Sequence, residues 1–418
     1  MDPRALLLES FRVAVAAADP ALILPPHLPK PPRGRTLVVG GGKAAASMAA
    51  AVEAHWPAEA PLSGLVVTRY LHGLPTRRIE VVEASHPLPD GRGEETALRM
   101  LAMAGQLGPD DLLLALISGG GSSLLAAPVE GVTLKALRQV TKALLGAGAT
   151  IHDINTVRKH LTRLSGGRLA QAANGAQVLA LIISDVVGDD PTHIASGPCA
   201  PDPSTCADAL ERLQRFGIVS PASVQRHLES CGEDTPKPSD ACFARTENRV
   251  IASAQASLRA AAQVFEQSGI PALVLSDCVS GDAQAVARQQ AALAHAVNRR
   301  PLALISGGET TVTLRPQHGR GGRNAEFLLA LALALGAQQT PAWAIACDTD
   351  GIDGSEDNAG TLLTPDTLAR ACTLGIDACA KLAEHDSHGF FAALGDLVVT
   401  GPTRTNVNDY RALLLGTA

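Results

Sequence analysis

Short apolar runs that end in glycine-rich turns recur along the chain. The first covers residues 36–40, leads into two glycines and a lysine at 41–43, and is followed by an alanine-rich stretch to about residue 55. A short apolar run bounded by glycines indicates a buried strand, and the alanine-rich stretch after it indicates a helix. The same pattern predicts strands at residues 65–68, 79–83, 111–117, 178–183, 250–252, 271–275, 302–305 and 342–347. Strands that alternate with helices at this spacing predict an α/β fold.

The side chains available for the core refine this fold class. Hydrophobic residues make up 46% of the 418-residue chain, whereas aromatic residues make up only 3%. Cores of small aliphatic side chains suit parallel sheets that helices cover on both faces. The chain is longer than one ordinary domain, and the segment 232–248 is charged, contains two prolines and has few apolar residues. We therefore expect two three-layer α/β/α domains with mainly parallel sheets, over residues 1–240 and 241–418.

Charge and hydropathy argue against several classes of partner. The net charge is −6 and the pI is near 6.1, which gives no reason to expect nucleic acid or an anionic membrane as a partner. The longest apolar run, 327–335, is about half the length of a bilayer-spanning helix. The segment 1–20 resembles an amphipathic helix more than a signal peptide, because Glu9 and Arg12 interrupt its apolar run. We therefore expect a cytoplasmic protein.

The cysteine pattern also favours a reducing compartment. No two of the eight cysteines form a Cys-x-x-Cys pair, which argues against a structural zinc site. We expect buried or free thiols at positions 199, 206, 231, 242, 278, 347, 372 and 379.

Two glycine-rich loops can bind an anion through the backbone. Glycine lets the backbone approach an anion, and the start of a following helix presents free N–H groups. Successive glycines flanked by hydroxyls also form an anion-binding concavity. Both loops follow a predicted strand and combine glycines with a lysine or with serines: Gly40, Gly41, Gly42 and Lys43 in the first, and Ser118, Gly119, Gly120, Gly121 and Ser122 in the second.

The first loop also fits a dinucleotide-binding pattern. Residues 40–45 match G-x-G-x-x-A, which on its own is a weak signal. Thr68 and Arg69 stand where an acidic residue would contact the ribose of NAD. Arg69 can instead contact a 2′-phosphate, so binding of NADP stays open as an alternative.

One segment, Leu-Ala-Leu-Ile-Ser-Gly-Gly, occurs twice, at 114–120 and at 302–308. Seven identical residues can arise by chance on a buried strand and its turn. Alternatively, each half of the chain presents a loop of backbone amides at the carboxyl end of a strand, where open α/β sheets bind ligands. The second interpretation adds four candidates for phosphate binding, namely Ser306, Gly307, Gly308 and Glu309.

Charged and amide side chains cluster in several other loops. Carboxylates at a strand end can hold Mg²⁺ or accept a proton, and arginines among glycines at a helix start bind anions. The candidates for substrate or metal contacts are Asp185, Asp189, Asp190, Asp348, Asp350, Asp353, Arg320, Arg323, Asn324, Asn406 and Asn408, with Asp189 a possible magnesium ligand. Taken singly, each loop can be explained as a solvated turn, and Asn324 as a helix N-cap. Together they suit phosphoryl transfer, in which the protein mainly positions groups and neutralises charge.

At these positions the chain resembles the class II glycerate 2-kinases of bacteria and archaea, a family also labelled hydroxypyruvate reductases. The ordered matches are GGGKAA at 40–45, SHPLPD at 85–90, SGGGSS at 118–123, INTVRKHLTRLSGGRLA at 154–170, SDVVGDD at 184–190, ASGP at 195–198, SGGET at 306–310, GRGGRNAEF at 319–327, TDGIDG at 349–354 and TNVNDY at 405–410. The segment 354–360, GSEDNAG, departs from the family pattern after its first glycine.

The resemblance implies a Rossmann-like N-terminal domain, a leucine-rich MOFRL part over about 300–410, and an active site in the cleft between the domains. It implies transfer of the ATP γ-phosphoryl group, with Mg²⁺, to the 2-hydroxyl of D-glycerate. It makes Lys43 and Arg323 the catalytic cations and Asp189 the acidic catalytic residue. Replacing either cation with alanine should then lower kcat strongly and leave the fold intact.

Three further expectations stay open. A homodimer is compatible with the resemblance. An NADPH-dependent hydroxypyruvate reductase is the main alternative activity, because of the G-x-G-x-x-A pattern and Arg69. A regulator that binds a sugar acid or a nucleotide without catalysis is the non-enzymatic alternative.

Overall fold

The structure is a computed structural model, and it describes residues 2–313, 319–337 and 340–416. The chain divides into two compact units. The first unit comprises Pro20–Ile251, and the second comprises Ala252–Ala418 together with Met1–Asp19. The division thus follows Ile251, whereas the sequence predicts a boundary near residue 240.

Helix α1 (Pro3–Ala16) explains why the N-terminal residues belong to the second unit. Its buried Leu7 and Phe11 lie in the same apolar cluster as Phe265. The Tyr410 hydroxyl also donates a hydrogen bond to Ser10 Oγ at 2.7 Å. The helix predicted from the amphipathic pattern is therefore confirmed, and it covers part of the second core.

The first unit is built on a six-stranded sheet with the order β3-β2-β1-β4-β5-β6. Its strands are β1 (Thr36–Gly41), β2 (Leu62–Arg69), β3 (Ile79–Ala84), β4 (Leu112–Ile117), β5 (Gln177–Ile183) and β6 (Thr246–Ala252). The first five strands pair in parallel. This is the strand order of the Rossmann fold, in which ligands bind beyond the carboxyl ends of the two central strands. Here those strands are β1 and β4, the two that precede the predicted glycine loops.

The first unit also contains α-helices. They are α2 (Pro20–Ile23), α3 (Ala45–His55), α4 (Gly91–Ala104), α5 (Gly121–Leu124), α6 (Leu134–Gly146), α7 (Ile151–Leu161), α8 (Arg168–Ala172), α9 (Cys206–Arg215) and α10 (Ala222–Ser230), with short 3₁₀ turns at Pro25–His27, Ile194–Ser196 and Ala241–Phe243. The segment 232–248, expected to be a linker, lies within the first unit. Thr235 is buried there, and the Asp202 N–H donates to the Pro236 carbonyl at 3.0 Å.

The second unit contains a mixed sheet with the order β11-β10-β9-β12-β8-β7. Its strands are β7 (Ala272–Asp282), β8 (Leu302–Thr311), β9 (Ala342–Asp348), β10 (Gly360–Leu363), β11 (Leu397–Val398) and β12 (Asp409–Leu415). Only β7 and β8 pair in parallel, and the other four pairs are antiparallel. The α/β class is confirmed, but the expectation of mainly parallel strands is wrong for this sheet. The physical reason is that β12 inserts between β8 and β9 in the direction opposite to both, and that β10 also runs opposite to its two neighbours, β9 and β11.

The remaining helices belong to the second unit. They are α11 (Ala254–Gln267), α12 (Ala283–Ala296), α13 (Arg323–Ala337), α14 (Thr367–Thr373), α15 (Ala378–Ala383) and α16 (Ser387–Leu394). Across the described part of the chain, every helix is too short or too polar to cross a bilayer.

The cysteines depart from the expectation at one place. Cys206, at the start of α9, and Cys231, just after α10, form a disulfide. The expectation of free thiols is therefore wrong for this pair, because the two helices bring together residues that lie 25 positions apart. The other six cysteines are free thiols.

Candidate active site

The two predicted glycine loops of the first unit lie against each other. The Lys43 N–H donates to the Gly119 carbonyl at 2.8 Å, and the Ala44 N–H donates to Ser118 Oγ at 3.0 Å. Gly42 has a φ of +140°, and a Cβ on it would lie only 2.1 Å from Ser118 Oγ. A side chain at this position would push the loops apart. The central strands therefore bring Lys43 next to the second loop, as the strand order predicts.

His86, from the segment after β3, also borders this pair of loops. A Cβ on Gly120, whose φ is +81°, would lie 2.9 Å from the His86 ring and 3.5 Å from Lys43 Cγ. Burial, together with the positive charges of Lys43 and Arg69, lowers the pKa of His86 to about 3. His86 is therefore a neutral imidazole at physiological pH, beside a cationic loop.

A strained turn contacts the second loop. Ala195 and Ser196 both have a positive φ, at 50° and 61°. This conformation costs non-glycine residues about 1–2 kcal/mol each, and such residues cluster at functional sites. Ser196 Oγ lies 2.8 Å from Ser122 Oγ and donates to Asn155 Oδ1 at 3.2 Å. The turn thereby fixes the hydroxyl at the end of the glycine loop.

Arg158 adds a second cation to this region. One of its guanidinium nitrogens donates to Asn155 Oδ1 at 3.4 Å, which links it to the strained turn. Burial lowers the pKa of Arg158 to about 10, and its charge contributes to the low pKa of His86. Among the residues that the structure describes, no carboxylate forms a salt bridge with Arg158. A partly buried guanidinium without a counter-ion is suited to bind an anion.

The three carboxylates predicted after β5 differ in what they contact. Asp190 Oδ1 accepts a hydrogen bond from the Thr192 N–H at 2.9 Å, and Asp185 is engaged as well. The Asp189 carboxylate has no hydrogen bond or salt bridge to any described residue, and its backbone is in the left-handed region with a φ of +54°. An uncommitted carboxylate can hold Mg²⁺ or accept a proton. Asp189 therefore fits either role better than its two neighbours.

Arg323, the first residue of α13, is enclosed by carboxylates of the second unit. Its Nε donates to Asp409 Oδ1 at 2.8 Å, and its two terminal nitrogens donate to Glu309 at 2.6 Å and to Asp348 at 2.8 Å. Burial alone would lower the pKa of Arg323, but these carboxylates outweigh burial and raise it above its ordinary value. The guanidinium is therefore charged and held in one orientation.

The start of α13 is capped by a residue from a distant loop. Asp353 accepts hydrogen bonds from the N–H groups of Asn324 and Ala325, both at 2.9 Å. Burial raises the pKa of Asp353 to about 7, despite those hydrogen bonds. The Asn324 side chain donates to Asp409 Oδ1 at 2.8 Å and to Asp353 Oδ1 at 3.3 Å. The expectation that Asn324 is the N-cap is wrong, because Asp353 performs that role.

The second copy of the repeated segment does not form a loop. Ser306, Gly307, Gly308 and Glu309 lie inside β8, which pairs with β12 on one side and β7 on the other. A Cβ on Gly308 would lie 2.2 Å from the Val279 carbonyl oxygen. The expectation of a second amide loop is wrong, because strand pairing engages this backbone. Of the four residues, Glu309 is the one that reaches Arg323.

The other predicted residues of the second unit form hydrogen bonds with residues other than Arg323. Arg320 donates through Nε to Glu356 at 2.9 Å. Asp350 accepts from the Ile352 N–H at 2.9 Å. Asn406 accepts from the Asn408 N–H at 3.4 Å, and the Asn408 carbonyl accepts from Thr349 Oγ1 at 2.6 Å. None of these four predicted residues hydrogen-bonds to Arg323 in the part of the chain that the structure describes.

Sequence reasoning did not assign a role to several residues of these two clusters. In the first unit they are His86, Asn155, Arg158 and Ser196. In the second unit they are Asp409 and Arg411, whose guanidinium donates to Asp409 and to Thr310 Oγ1. All but Arg411 lie within segments that carry the family resemblance. The available signal was their place in those segments, while their contacts depend on the fold.

Comparison with known proteins places the chain in a family. The profile described as "Domain of unknown function (DUF4147)" matches residues 6–229, and that of the MOFRL family matches residues 302–409. The "D-glycerate 2-kinase" of Thermotoga maritima is 38% identical over 421 residues, which is 98% of each chain. The chain belongs to the DUF4147–MOFRL family of glycerate 2-kinases.

Other members of the glycerate 2-kinase family support this assignment. The crystal structure of the glycerate kinase of Thermotoga maritima matches with a TM-score of 0.87 at 36% identity, and covers 99% of both chains. A protein of Agrobacterium vitis named "Putative hydroxypyruvate reductase" is 50% identical over 424 residues, which is 100% of this chain and 95% of that protein. The resemblance inferred from the motifs is thus confirmed, including the two names that the family carries.

Proposed function

We propose that this protein is a glycerate 2-kinase that transfers the γ-phosphoryl group of ATP to the 2-hydroxyl of D-glycerate, yielding 2-phosphoglycerate and ADP. The observation that carries the proposal is the contact between the two glycine loops, which sets Lys43 against the glycines and serines of the second loop. Phosphoryl transfer needs positioning and charge neutralisation more than covalent chemistry from the protein. Relatives named as glycerate kinases support the choice of acceptor.

The first unit would hold the nucleotide phosphates. The two loops, residues 40–43 and 118–122, lie where Rossmann-type sheets bind nucleotides. Lys43 and Arg158 would neutralise phosphate charge, since Arg158 has no carboxylate partner in the described residues. His86, which is neutral, adds a side chain that can form hydrogen bonds but carries no charge.

A magnesium ion fits one carboxylate better than the others. Mg²⁺ takes oxygen ligands and binds ATP enzymes through one or two carboxylates. The Asp189 carboxylate is uncommitted, whereas the three carboxylates around Arg323 each hold a guanidinium N–H. Asp189 would therefore hold the ion or accept the proton of the 2-hydroxyl. When bound, Mg²⁺ neutralises negative charge on the phosphate oxygens.

In the second unit, Arg323 would stabilise negative charge on a phosphate or on the glycerate carboxylate. Two of its partners, Asp348 and Asp409, are buried, but the Glu309 side chain is 61% exposed. An incoming anion can replace Glu309 with little structural change. Such arginines contribute several orders of magnitude to the rate of phosphoryl transfer in other enzymes.

The experiment is a pair of assays on the purified protein. One follows ADP release from ATP and D-glycerate with Mg²⁺, and couples the product directly to enolase, which accepts 2-phosphoglycerate but not 3-phosphoglycerate. The other follows NADPH oxidation with hydroxypyruvate. We expect ADP release and an enolase signal without added mutase. Absence of ADP release would contradict the kinase proposal.

The reductase is the second candidate because the Agrobacterium vitis relative carries that name. The glycine loop at 40–45 also fits the dinucleotide pattern. Oxidation of NADPH without ADP release would favour the reductase. Binding of ATP or glycerate without either reaction would favour a regulatory protein.

A further inference from the structure

Away from the glycine loops, the first unit contains a buried group of side chains of the kind that bind transition metals. His160 Nε2, Cys206 Sγ and a carboxylate oxygen of Asp234 all lie within 4.8 Å of one another. His160 and Cys206 are 0% and 2% exposed, and Cys206 is joined to Cys231 by the disulfide. We call these four residues the α7–α10 cluster.

The hydrogen bonds of His160 show which ring nitrogen carries a lone pair. His160 Nδ1 lies 2.8 Å from the Thr156 carbonyl oxygen, which can only accept. Nδ1 therefore carries the proton, and a neutral ring has its lone pair on Nε2. Metal-binding histidines commonly donate their other N–H to a backbone carbonyl in this way.

This lone pair points at negative charge. His160 Nε2 lies 3.0 Å from Asp234 Oδ1 and 3.9 Å from Asp202 Oδ2. Among the described residues, neither His160 Nε2 nor Asp202 Oδ2 has a hydrogen bond of good geometry, although both side chains are fully buried. A lone pair facing two carboxylates needs a cation, which is either a second ring proton or a metal ion.

We propose that reduction of the Cys206–Cys231 disulfide creates a Zn²⁺ site whose ligands are the two cysteine thiolates, His160 Nε2 and the Asp234 carboxylate. Zinc takes four S, N and O donors in a tetrahedron at about 2.0–2.3 Å, so neighbouring donor atoms lie about 3.3–3.8 Å apart. Cys206 Sγ and Asp234 Oδ1 are already 3.8 Å apart. His160 Nε2 and Asp234 Oδ1 need to separate by only about 0.3 Å to fit the same geometry.

The electrons and protons balance with a dithiol as reductant. The dithiol becomes a disulfide and gives two electrons and two protons to Cys206 and Cys231, whose S–S bond breaks to form two thiols. Zn²⁺ then displaces both thiol protons to solvent as it binds the thiolates. In the oxidised protein the same sulfur atoms are bonded to each other and are not available as thiolate ligands.

The surrounding charges suit the bound state. Two thiolates and one carboxylate bring three negative charges to a doubly positive ion. Lys237 Nζ lies 3.2 Å from Asp234 Oδ2, which leaves Oδ1 facing His160. Lys159 Nζ lies 3.4 Å from Asp202. These ammonium groups offset the excess negative charge. The spacing of the cysteines argued against a zinc site, because the ligands come from two helices and from the segment after α10, which only the fold brings together.

The test is metal titration of the full chain without nucleotide or Mg²⁺. Protein reduced with dithiothreitol, desalted without oxygen and treated with a chelator is titrated with Co²⁺ and then with Zn²⁺. We expect one Co²⁺ per chain with a thiolate-to-cobalt charge-transfer band, loss of that band on adding Zn²⁺, and a higher Tm for the zinc-bound form. The oxidised protein should show neither the band nor the shift in Tm.

Variants separate this site from other carboxylate clusters. Cys231→Ser and Asp234→Asn change residues that are only partly buried, and each should weaken Zn²⁺ binding to the reduced protein at least tenfold. Cys242→Ser, a free cysteine of the same unit, is the matched control and should bind like the parent. The proposal is overturned if the reduced parent shows no cobalt–thiolate band. It is also overturned if both cluster variants bind Zn²⁺ as tightly as the control.

Discussion

The same seven residues end in a loop in one unit and continue as a strand in the other. In the first unit, β4 stops at Ile117, and Ser118 and Gly119 leave the sheet to contact the Lys43 loop. In the second unit, β8 continues to Thr311 because β12 pairs along it. Whether backbone amides are available to a ligand is therefore decided by the neighbouring strand, and not by the glycines themselves.

The two units also treat positive charge differently. Arg158 in the first unit has no carboxylate partner among the described residues, and Lys43 lies beside backbone amides and hydroxyls. Arg323 in the second unit is held by Asp348, Asp409 and Glu309. The first arrangement is suited to receive an anion, whereas the second is already neutralised. Substitution of these cations should therefore affect turnover alone in the first unit, and both stability and turnover in the second.

The largest effect is expected for Arg323→Ala. This change leaves the buried carboxylates of Asp348 and Asp409 without their guanidinium, and loss of one partner of a buried ion pair costs about 3–5 kcal/mol. Urea unfolding should show this loss together with a strong decrease in kcat. The result would revise the sequence-based expectation that the fold stays intact. Arg12→Ala is the control, because the side chains of Arg12 and its partner Glu9 are both exposed, and its loss should cost less than about 1 kcal/mol. Equal losses of unfolding free energy for Arg323→Ala and its control would contradict the stabilising role of the Arg323 ion pairs.

Lys43→Ala should affect turnover and leave stability nearly unchanged. Removing one charge-stabilising group from a site of this kind lowers kcat by about 10²- to 10³-fold. We expect the free energy of unfolding to change by less than about 1 kcal/mol, since Lys43 is only partly buried. Steady-state kinetics with ATP and D-glycerate, together with urea unfolding, measure both. Lys135→Ala, on the exposed surface of α6, is the matched control. Near-normal turnover of Lys43→Ala would exclude its proposed role.

His86→Gln tests the electrostatics of the first unit through pH. The pKa of His86 is about 3 in the folded chain, well below that of a free histidine. Between about pH 6.5 and 3, His86 therefore binds a proton in the unfolded chain but not in the folded chain. The stability of the parent therefore falls as the pH decreases through this range. Between pH 6.5 and 5 the contribution is about 1–2 kcal/mol, and it should be absent from the variant. Identical slopes of unfolding free energy against pH for parent and variant would show that His86 is not kept neutral.

Much of the first sheet could be predicted from sequence, because its strands are continuous apolar runs such as 112–117. The second sheet was predicted less well. Strand β12 begins at Asp409, inside a polar segment that looked like a loop, and only its partners β8 and β9 make it a strand. Its insertion also creates two of the four antiparallel pairs of this sheet. Local apolar patterning carries no information about which distant strand will pair.

The candidate sites show the same limit. Lys43 and the loop that it contacts were predicted because glycines, a lysine and serines at strand ends have a direct chemical interpretation. The role of Asp353 as the cap of α13 was not predicted. Asp353 lies 29 and 28 positions along the chain from Asn324 and Ala325, the two residues whose N–H groups donate to it. The shell around Arg323 likewise combines residues from three strands.

A pair of glycines tests how closely the loops of the first unit are packed. Gly120 and Gly131 have similar positive φ values, +81° and +78°, but a Cβ on Gly120 would lie 2.9 Å from the His86 ring, whereas a Cβ on Gly131 would meet nothing within 4 Å. Alanine at either position takes an unfavourable conformation that costs about 1–2 kcal/mol. Gly120→Ala should lose about 1 kcal/mol more, because it must also displace His86. Urea unfolding of both variants measures the difference. Equal losses would mean that His86 can move aside freely, and that the first loop pair is less rigid than the second unit's carboxylate shell.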